Sequence, residues 1–270
     1  MAELKIGVVG AGGRMGQMLV RNATENEGTR LVAAIERPGS PALGRDAGEV
    51  AGIGHLGVPI GDDAAAMFHE ADAVLEFSAP DASVSHAGLA AQSRKIHVIG
   101  TTGLSAAQEA ALRDAARTTP IVYAPNMSVV VTVFMSVVEQ VAAMLGPDYD
   151  IEIVEMHHKH KVDAPSGTAI GLGKAAAKGR GVELDSVAQW SREGHTGPRK
   201  QGAIGFAALR GGDVVGDHTV VFAGESERLE LTHRCTGREI FARGAVRAAL
   251  WARDKPAGLY GMRDVLGLGG

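Results

Sequence analysis

The run Lys5-Ile6-Gly7-Val8-Val9 passes directly into a glycine loop, Gly10-Ala11-Gly12-Gly13-Arg14-Met15-Gly16. Met15, Met18, Leu19 and Ala23 then recur at helical spacing, and Leu31 to Ile35 forms a second apolar run. Strand, glycine turn, helix and strand within about thirty residues make a βαβ unit, which requires a parallel sheet. The loop spacing is GxxGxxG, through Gly10, Gly13 and Gly16, rather than strict GxGxxG. The physics is the same: a tight turn, close backbone approach to a pyrophosphate, and close packing of helix on strand. The second strand ends at Glu36. A carboxylate there accepts from ribose hydroxyls and favours NADH, while the adjoining Arg37 can hold a 2′-phosphate and favours NADPH. The pair predicts use of both.

The alternation continues. Strands are predicted at 73–77, 96–99 and 121–123, with helices at 81–94 and 105–117. Residues 37–63 are rich in Gly, Pro and Asp and read as a long loop with one short helix. This is the pattern of a doubly wound α/β domain. Ligands bind at the carboxyl ends of such strands, so Gly100-Thr101-Thr102-Gly103 and Ala124-Pro125-Asn126-Met127 should border the nicotinamide.

After Asn126 the pattern changes. A long apolar helix is predicted over 129–145, an alternating strand over 149–156 and a helix over 169–178. Strands follow without helices at 203–209, 214–223 and 227–235, the last two pairing through Ala223-Gly224-Glu225. That predicts a second, α+β domain with an open mixed sheet. Gly194 to Gly202 reads as a mobile loop, and 238–251 as a final helix.

A net charge of −4 gives no global pull toward nucleic acid or membrane, so anion affinity must be local. No apolar run is read as approaching a membrane span, and no signal peptide is read at the N-terminus. The single Cys235 fits a reducing compartment, so the cytoplasm is expected. Cys235 itself is expected to be a small core residue in an alternating strand.

One segment carries chemistry: His157-His158-Lys159-His160-Lys161-Val162-Asp163-Ala164-Pro165-Ser166-Gly167-Thr168. Proton donors and fixed cations lie beside a helix N-terminus, which attracts anions. Two anion sites follow, Lys161 and the Ser166-Gly167-Thr168 turn, as a small dicarboxylate needs. Histidine suits a proton transfer near neutral pH. Metal is not expected, because Lys159 and Lys161 interleave with the histidines and repel a dication.

Together the glycine loop, Gly100-Thr101-Thr102-Gly103 and the histidine segment resemble the dihydrodipicolinate reductase family over essentially the whole chain. The resemblance implies a Rossmann-like dinucleotide domain over 1–127, to which 238–270 returns. It implies a substrate and oligomerisation domain over 128–237, and a homotetramer built through that domain's sheet. It implies NADPH or NADH as cofactor and reduction of a cyclic dicarboxylate, 4-hydroxy-tetrahydrodipicolinate, in the diaminopimelate route to lysine. By motif, His157 resembles the family's general acid and Lys161 its catalytic lysine. His158, Gly167 and Thr168 match substrate positions, with Thr102 assigned to both ligands. Gly10, Ala11, Gly12, Gly13, Arg14, Met15, Glu36, Arg37, Gly100, Thr101, Ala124, Pro125, Asn126 and Met127 match nucleotide contacts. The family commonly carries Asn-Phe-Ser-Val-Gly where this chain has Asn126-Met127-Ser128-Val129-Val130.

Rival readings are a dehydrogenase of another small carboxylic acid and a non-catalytic dinucleotide sensor. A sensor needs the glycine loop but no proton donor. A thiol-dependent aldehyde dehydrogenase needs a better-placed cysteine than Cys235.

Overall fold

The computed structural model describes residues 2–268 and divides into two compact units. The first unit runs to Val129 and resumes at Glu239; the second is Val130–Arg238.

The first unit opens with β1 (Leu4–Val9), α1 (Arg14–Glu25) and β2 (Thr29–Ile35). The loop read at 37–63 is more ordered than its composition suggests, with α2 (Ala47–Ala51) and β3 (Ile60–Gly61). Asp46 is the reason: its carboxylate accepts N–H bonds from Gly48, Glu49, Leu56 and Val58 and ties the loop to itself. Then come α3 (Ala64–Glu70), β4 (Ala73–Glu76), α4 (Pro80–Ser93), β5 (Ile96–Ile99), α5 (Ala106–Ala115) and β6 (Pro120–Tyr123). Ser105 and Gln108 close a capping box on α5.

The second unit holds α6 (Val129–Leu145), which begins at the boundary, β7 (Asp150–His157), α7 (Gly167–Gly179) and α8 (Leu184–Val187). It continues with β8 (Ala188–Gln189), β9 (Ile204–Arg210), β10 (Gly216–Ala223) and β11 (Arg228–Cys235). The chain then returns to the first unit as α9 (Glu239–Ala252), β12 (Gly258–Tyr260) and α10 (Met262–Val265).

The first sheet has seven parallel strands in the order β12-β6-β5-β4-β1-β2-β3. Strand order reverses between β1 and β4, so the crevice at their carboxyl ends is where such a sheet takes a ligand. Its strands are nearly continuous apolar runs because helices cover both faces. Returning α9 buries Ala242, Ala245, Val246 and Ala248 in the same core as α1.

The second sheet is mixed, in the order β11-β10-β7-β9-β8: β7 pairs parallel with β9 and antiparallel with β10. Along β7, Ile151, Ile153, Glu155 and His157 face inward, and Glu152, Val154 and Met156 face out. Phe134, Val138 and Ala142 of α6 and Ala169, Leu172 and Ala176 of α7 pack on the inward face. One sequence expectation needs correction. The helical run Val129–Asp148 is long and apolar enough, by length and composition, to cross a membrane. Reading 129–145 as a helix that stops at Leu145 hid the extra turn that a 3₁₀ segment, Gly146–Asp148, adds.

Candidate active site

In the first unit the glycines are required one by one. Gly10 sits at φ +70°, a left-handed conformation that glycine adopts without strain. A Cβ on Gly16 would lie 1.9 Å from the Gly10 carbonyl oxygen, so α1 can press on the loop only through glycine. A Cβ on Gly12 would lie 2.8 Å from the Ala42 Cβ. Glu36 reaches back to this turn: its Oε2 accepts from the Gly12 N–H at 3.1 Å and its Oε1 from the Arg37 N–H at 3.0 Å. Arg14, Gly13 and Arg37 are exposed, while Met15 is half-buried. Gly13 caps α1 without a side chain, so first-turn N–H groups stay directed outward. These features fit a dinucleotide: backbone donors at a helix N-terminus for a pyrophosphate, and an acid at the end of β2 for a ribose.

Several of the sequence candidates here are committed to the protein. The Ala11 N–H donates to the Ile35 carbonyl. Thr101 is buried, and its hydroxyl accepts from the Ser78 N–H at 3.0 Å and the Ser83 hydroxyl at 2.8 Å. Met127 is fully buried in the core, and its carbonyl lies where a Cβ on Gly244 would come within 1.7 Å. A nucleotide can meet Thr101 and Met127 only through backbone. Thr102 and Pro125 are exposed, Asn126 is half-buried, and the Ala124 N–H donates to the Ile99 carbonyl. A Cβ on Gly100 would strike the Phe77 ring at 2.2 Å.

Below this crevice lies a cluster the sequence did not flag. Glu76, at the end of β4, is fully buried between His86, 2.9 Å from Oε1, and His97, 2.7 Å from Oε2, and it also accepts from the Ser78 hydroxyl. Burial alone would raise its pKa, but the two histidine hydrogen bonds outweigh that and hold it at about 2.

In the second unit, His157 ends β7 and is mostly buried. Its Nδ1 lies 2.6 Å from Glu155 Oε2. Glu155 is buried and also accepts from the Ser166 N–H at 3.0 Å and from both Arg210 terminal nitrogens, at 2.8 and 2.9 Å. Burial raises the Glu155 pKa, but the bonds from Arg210, then His157 and Ser166, bring it below the ordinary value. The His218 ring stands 5.1 Å from the His157 ring, edge to face. Burial, then the His157 charge, pushes His218 down to about 4, so it is neutral near pH 7.

Ser166 has partners within the protein. It is buried; its hydroxyl accepts from the Ala169 N–H at 3.1 Å and pairs with His218 Nε2 at 2.9 Å, and its N–H goes to Glu155. Ser166 therefore builds the turn, with both its N–H and its hydroxyl engaged within the protein. Gly167 and Thr168 follow as the first two residues of α7, where N–H groups point out of the helix end. Lys161 is not solitary either: its Nζ lies 2.7 and 2.8 Å from the Asp163 oxygens. His158 is half-buried and shifted down by burial and then by Arg238.

In the 194–202 loop, Arg199 bonds Glu152 at 2.9 Å, Asp150 at 2.5 Å and the Ile151 carbonyl at 3.0 Å, while His195 stays exposed. One side reading is corrected. Cys235 is half-buried at the end of an edge strand, with its thiol on the Gly237 carbonyl, rather than in the core. Glu155, Arg210 and His218 were missed altogether. The strand parity of β7 was the available signal: it sends Glu155 and His157 to the face of Ile151 and Ile153, and a buried acid there needs partners.

One unit is thus built to hold a dinucleotide and the other to move a proton beside anion sites, which places the chain among dinucleotide-dependent oxidoreductases. Comparison with known proteins narrows that class. Residues 4–127 match the family model for the N-terminus of dihydrodipicolinate reductase, and residues 130–266 match that for its C-terminus. The chain belongs to the dihydrodipicolinate reductase family. It is 57% identical over 270 residues to the 4-hydroxy-tetrahydrodipicolinate reductase of Beijerinckia indica subsp. indica, covering all of both chains. It is 59% identical over 262 residues to that of Brucella abortus (strain 2308), covering 97% of this chain and 98% of the relative. A solved structure of dipicolinate-bound dihydrodipicolinate reductase from Paenisporosarcina sp. TG-14 shares the fold, with a TM-score of 0.77 at 24% identity over 97% of this chain and 99% of that one.

Proposed function

We propose that this chain catalyses the NAD(P)H-dependent reduction of 4-hydroxy-tetrahydrodipicolinate, via dihydrodipicolinate formed by loss of the 4-hydroxyl as water, to tetrahydrodipicolinate, in the diaminopimelate route to lysine. Full-length identity near 60% to reductases of that name supports the substrate. The observation that carries the chemistry is the His157 ring, held by Glu155 at the end of β7, with Lys161 and the α7 N-terminus in the segment that follows.

The glycine loop, Glu36 and Arg37 hold the nucleotide, with Gly100–Thr102 and Ala124–Met127 beside it. Reduced nicotinamide, when bound, supplies a hydride. His157 gives a proton to the carbon neighbouring the reduced centre, from Nε2, because Nδ1 faces Glu155. Lys161 holds one substrate carboxylate and offsets developing negative charge. The N–H groups of Gly167 and Thr168 hold the other at the helix N-terminus, and His158 lines the site. Thr102 contacts both ligands.

The reading includes a cytoplasmic homotetramer. Val154, Ala207 and Leu209 stand on the outer face of the second sheet, opposite the face that α6 and α7 cover, with Leu209 50% exposed. Such a face supports sheet-to-sheet assembly.

The test is nicotinamide oxidation followed by near-ultraviolet absorbance, with substrate made in situ from pyruvate and aspartate semialdehyde by the preceding synthase. Oxidation that depends on the synthase is expected with both NADH and NADPH. No oxidation, with nucleotide binding intact, would overturn the assignment and leave a dinucleotide sensor.

A further inference from the structure

The Glu155 carboxylate is buried, charged and fully used. Oε1 accepts from the Ser166 N–H at 3.0 Å and Arg210 at 2.9 Å; Oε2 is shared by His157 Nδ1 at 2.6 Å and Arg210 at 2.8 Å. No oxygen is left to meet a ligand. The pairing is set by the sheet, since parallel register places Arg210, the last residue of β9, beside His157, the last of β7. Arg210 is fixed in turn by the Asp163 carbonyl at 2.6 Å. A buried carboxylate so placed can act only through what it holds.

We propose that Glu155 and Arg210 are positioning residues that act on His157 in opposite directions: the carboxylate claims Nδ1–H and leaves Nε2 to exchange the proton, while the guanidinium weakens the carboxylate's hold on that proton. This rests on the reading of His157 as the proton donor. An imidazole–carboxylate pair by itself favours the imidazolium and makes a reluctant acid. A bidentate arginine on the same carboxylate draws its charge the other way. Gly216 serves the other nitrogen. A Cβ there would lie 2.9 Å from His157 Nε2, so glycine keeps that side clear.

The remaining groups around the ring come from other elements. From β10, His218 is neutral near pH 7 and is turned to Ser166. From the turn after β7, Lys161 is paired with Asp163, whose carboxyl it holds below the ordinary value, and His158 is shifted down. His160 and Lys159 are exposed. Arg238 and His233 act on His158 and His218, respectively. Glu155 makes a hydrogen bond to the His157 ring.

The experiment follows the His157 ring nitrogens by NMR in the full-length, histidine-labelled protein without substrate, with His157→Gln giving the assignment. Wild type is compared with Glu155→Gln, Arg210→Met and Arg210→Lys. The titration midpoint of His157 should fall in Glu155→Gln and rise in Arg210→Met, each by about one pH unit or more, as expected for loss of one close charge. Arg210→Lys, which keeps the charge, should return it toward wild type. The alkaline limb of the kcat/KM profile should move the same way in each variant. Midpoints that stay fixed, or that move in one direction in both charge-removing variants, would overturn the proposal, since a structural role predicts no opposed shifts. Opposed shifts with normal turnover in His157→Gln would uphold the pair's action on the ring while sinking His157 as the acid, so the two readings fail separately.

Discussion

The glycine loop after β1 and the histidine segment after β7 occupy equivalent places, each at the carboxyl end of an inner strand of its sheet. They work by different means. The loop acts through backbone: Gly10 adopts φ +70°, and Gly12 and Gly16 have no room for a Cβ. Its partners lie within the loop or just beyond the next strand, where Ile35, Glu36 and Ala42 meet it. The histidine segment acts through side chains whose partners are distant, Arg210 on Glu155 and His218 on Ser166. A backbone site is thus specified by local residue type, and a side-chain site by strand register.

The largest effect that tests this contrast is on the proton donor. His157→Gln should lower kcat by ~10²–10⁴-fold, the usual contribution of a general acid. Its nucleotide affinity, set in the other unit, should stay near wild type. Steady-state kinetics and a nucleotide fluorescence titration check both, and a matching loss of nucleotide affinity would break the separation of roles.

The two regions should also respond to acid in different windows. His218 is a base whose folded value, about 4, lies below its ordinary 6.5. The unfolded chain therefore binds the proton more readily, and stability falls as pH drops from 6.5 toward 4. Glu76 is an acid whose folded value, about 2, lies below its ordinary 4.5. Its contribution is full above 4.5 and is lost as pH drops toward 2. Each shift is worth about 3 kcal/mol, at roughly 1.4 kcal/mol per unit. Hydrogen exchange, corrected for intrinsic rates, should show β10 losing protection at higher pH than β4. Loss of both together would remove the distinction.

A smaller effect sharpens the account of the nucleotide site. Arg37→Ala should raise the KM for NADPH roughly 10- to 100-fold, the scale of one charge-assisted hydrogen bond, and leave NADH little changed. Equal weakening of both cofactors would show that Arg37 does not read the phosphate.

The smallest effect concerns Lys161. Asp163 already sits on its ammonium, so a substrate carboxylate must compete. The pair is near the surface and worth ~0.2–1 kcal/mol. Asp163→Asn should therefore lower the substrate KM roughly 1.5- to 5-fold, by the same surface-pair energy. An unchanged or higher KM would mean that Asp163 does not compete for Lys161.

Elements with strong periodicity were legible in the sequence: β1, α1, β2, β7 and the β10–β11 hairpin fall where apolar spacing puts them. The elements missed are short. Helix α3 is capped by Asp63 but gives only two fully buried residues, too few to set a period. Strand β12 has three half-buried residues at a sheet edge and no alternation to read. At the candidate sites, the glycines, Glu36 and the histidines stood out because residue type alone marks them. Ser166 was placed on the substrate because a serine before a helix looks like an available donor. Its commitment to Ala169, His218 and Glu155 depends on residues far along the chain.

Residue type and spacing by themselves determined a parallel βαβ sheet, an acid-marked glycine loop and a proton-donor segment beside a helix N-terminus. Only the tertiary structure decided that Arg210 meets Glu155 and that His218 stands neutral against His157. Steric demands on a backbone turn are met within a few residues and leave a local signature. The charge balance around a buried ring is summed over strands brought together by register, and no single stretch of sequence contains it.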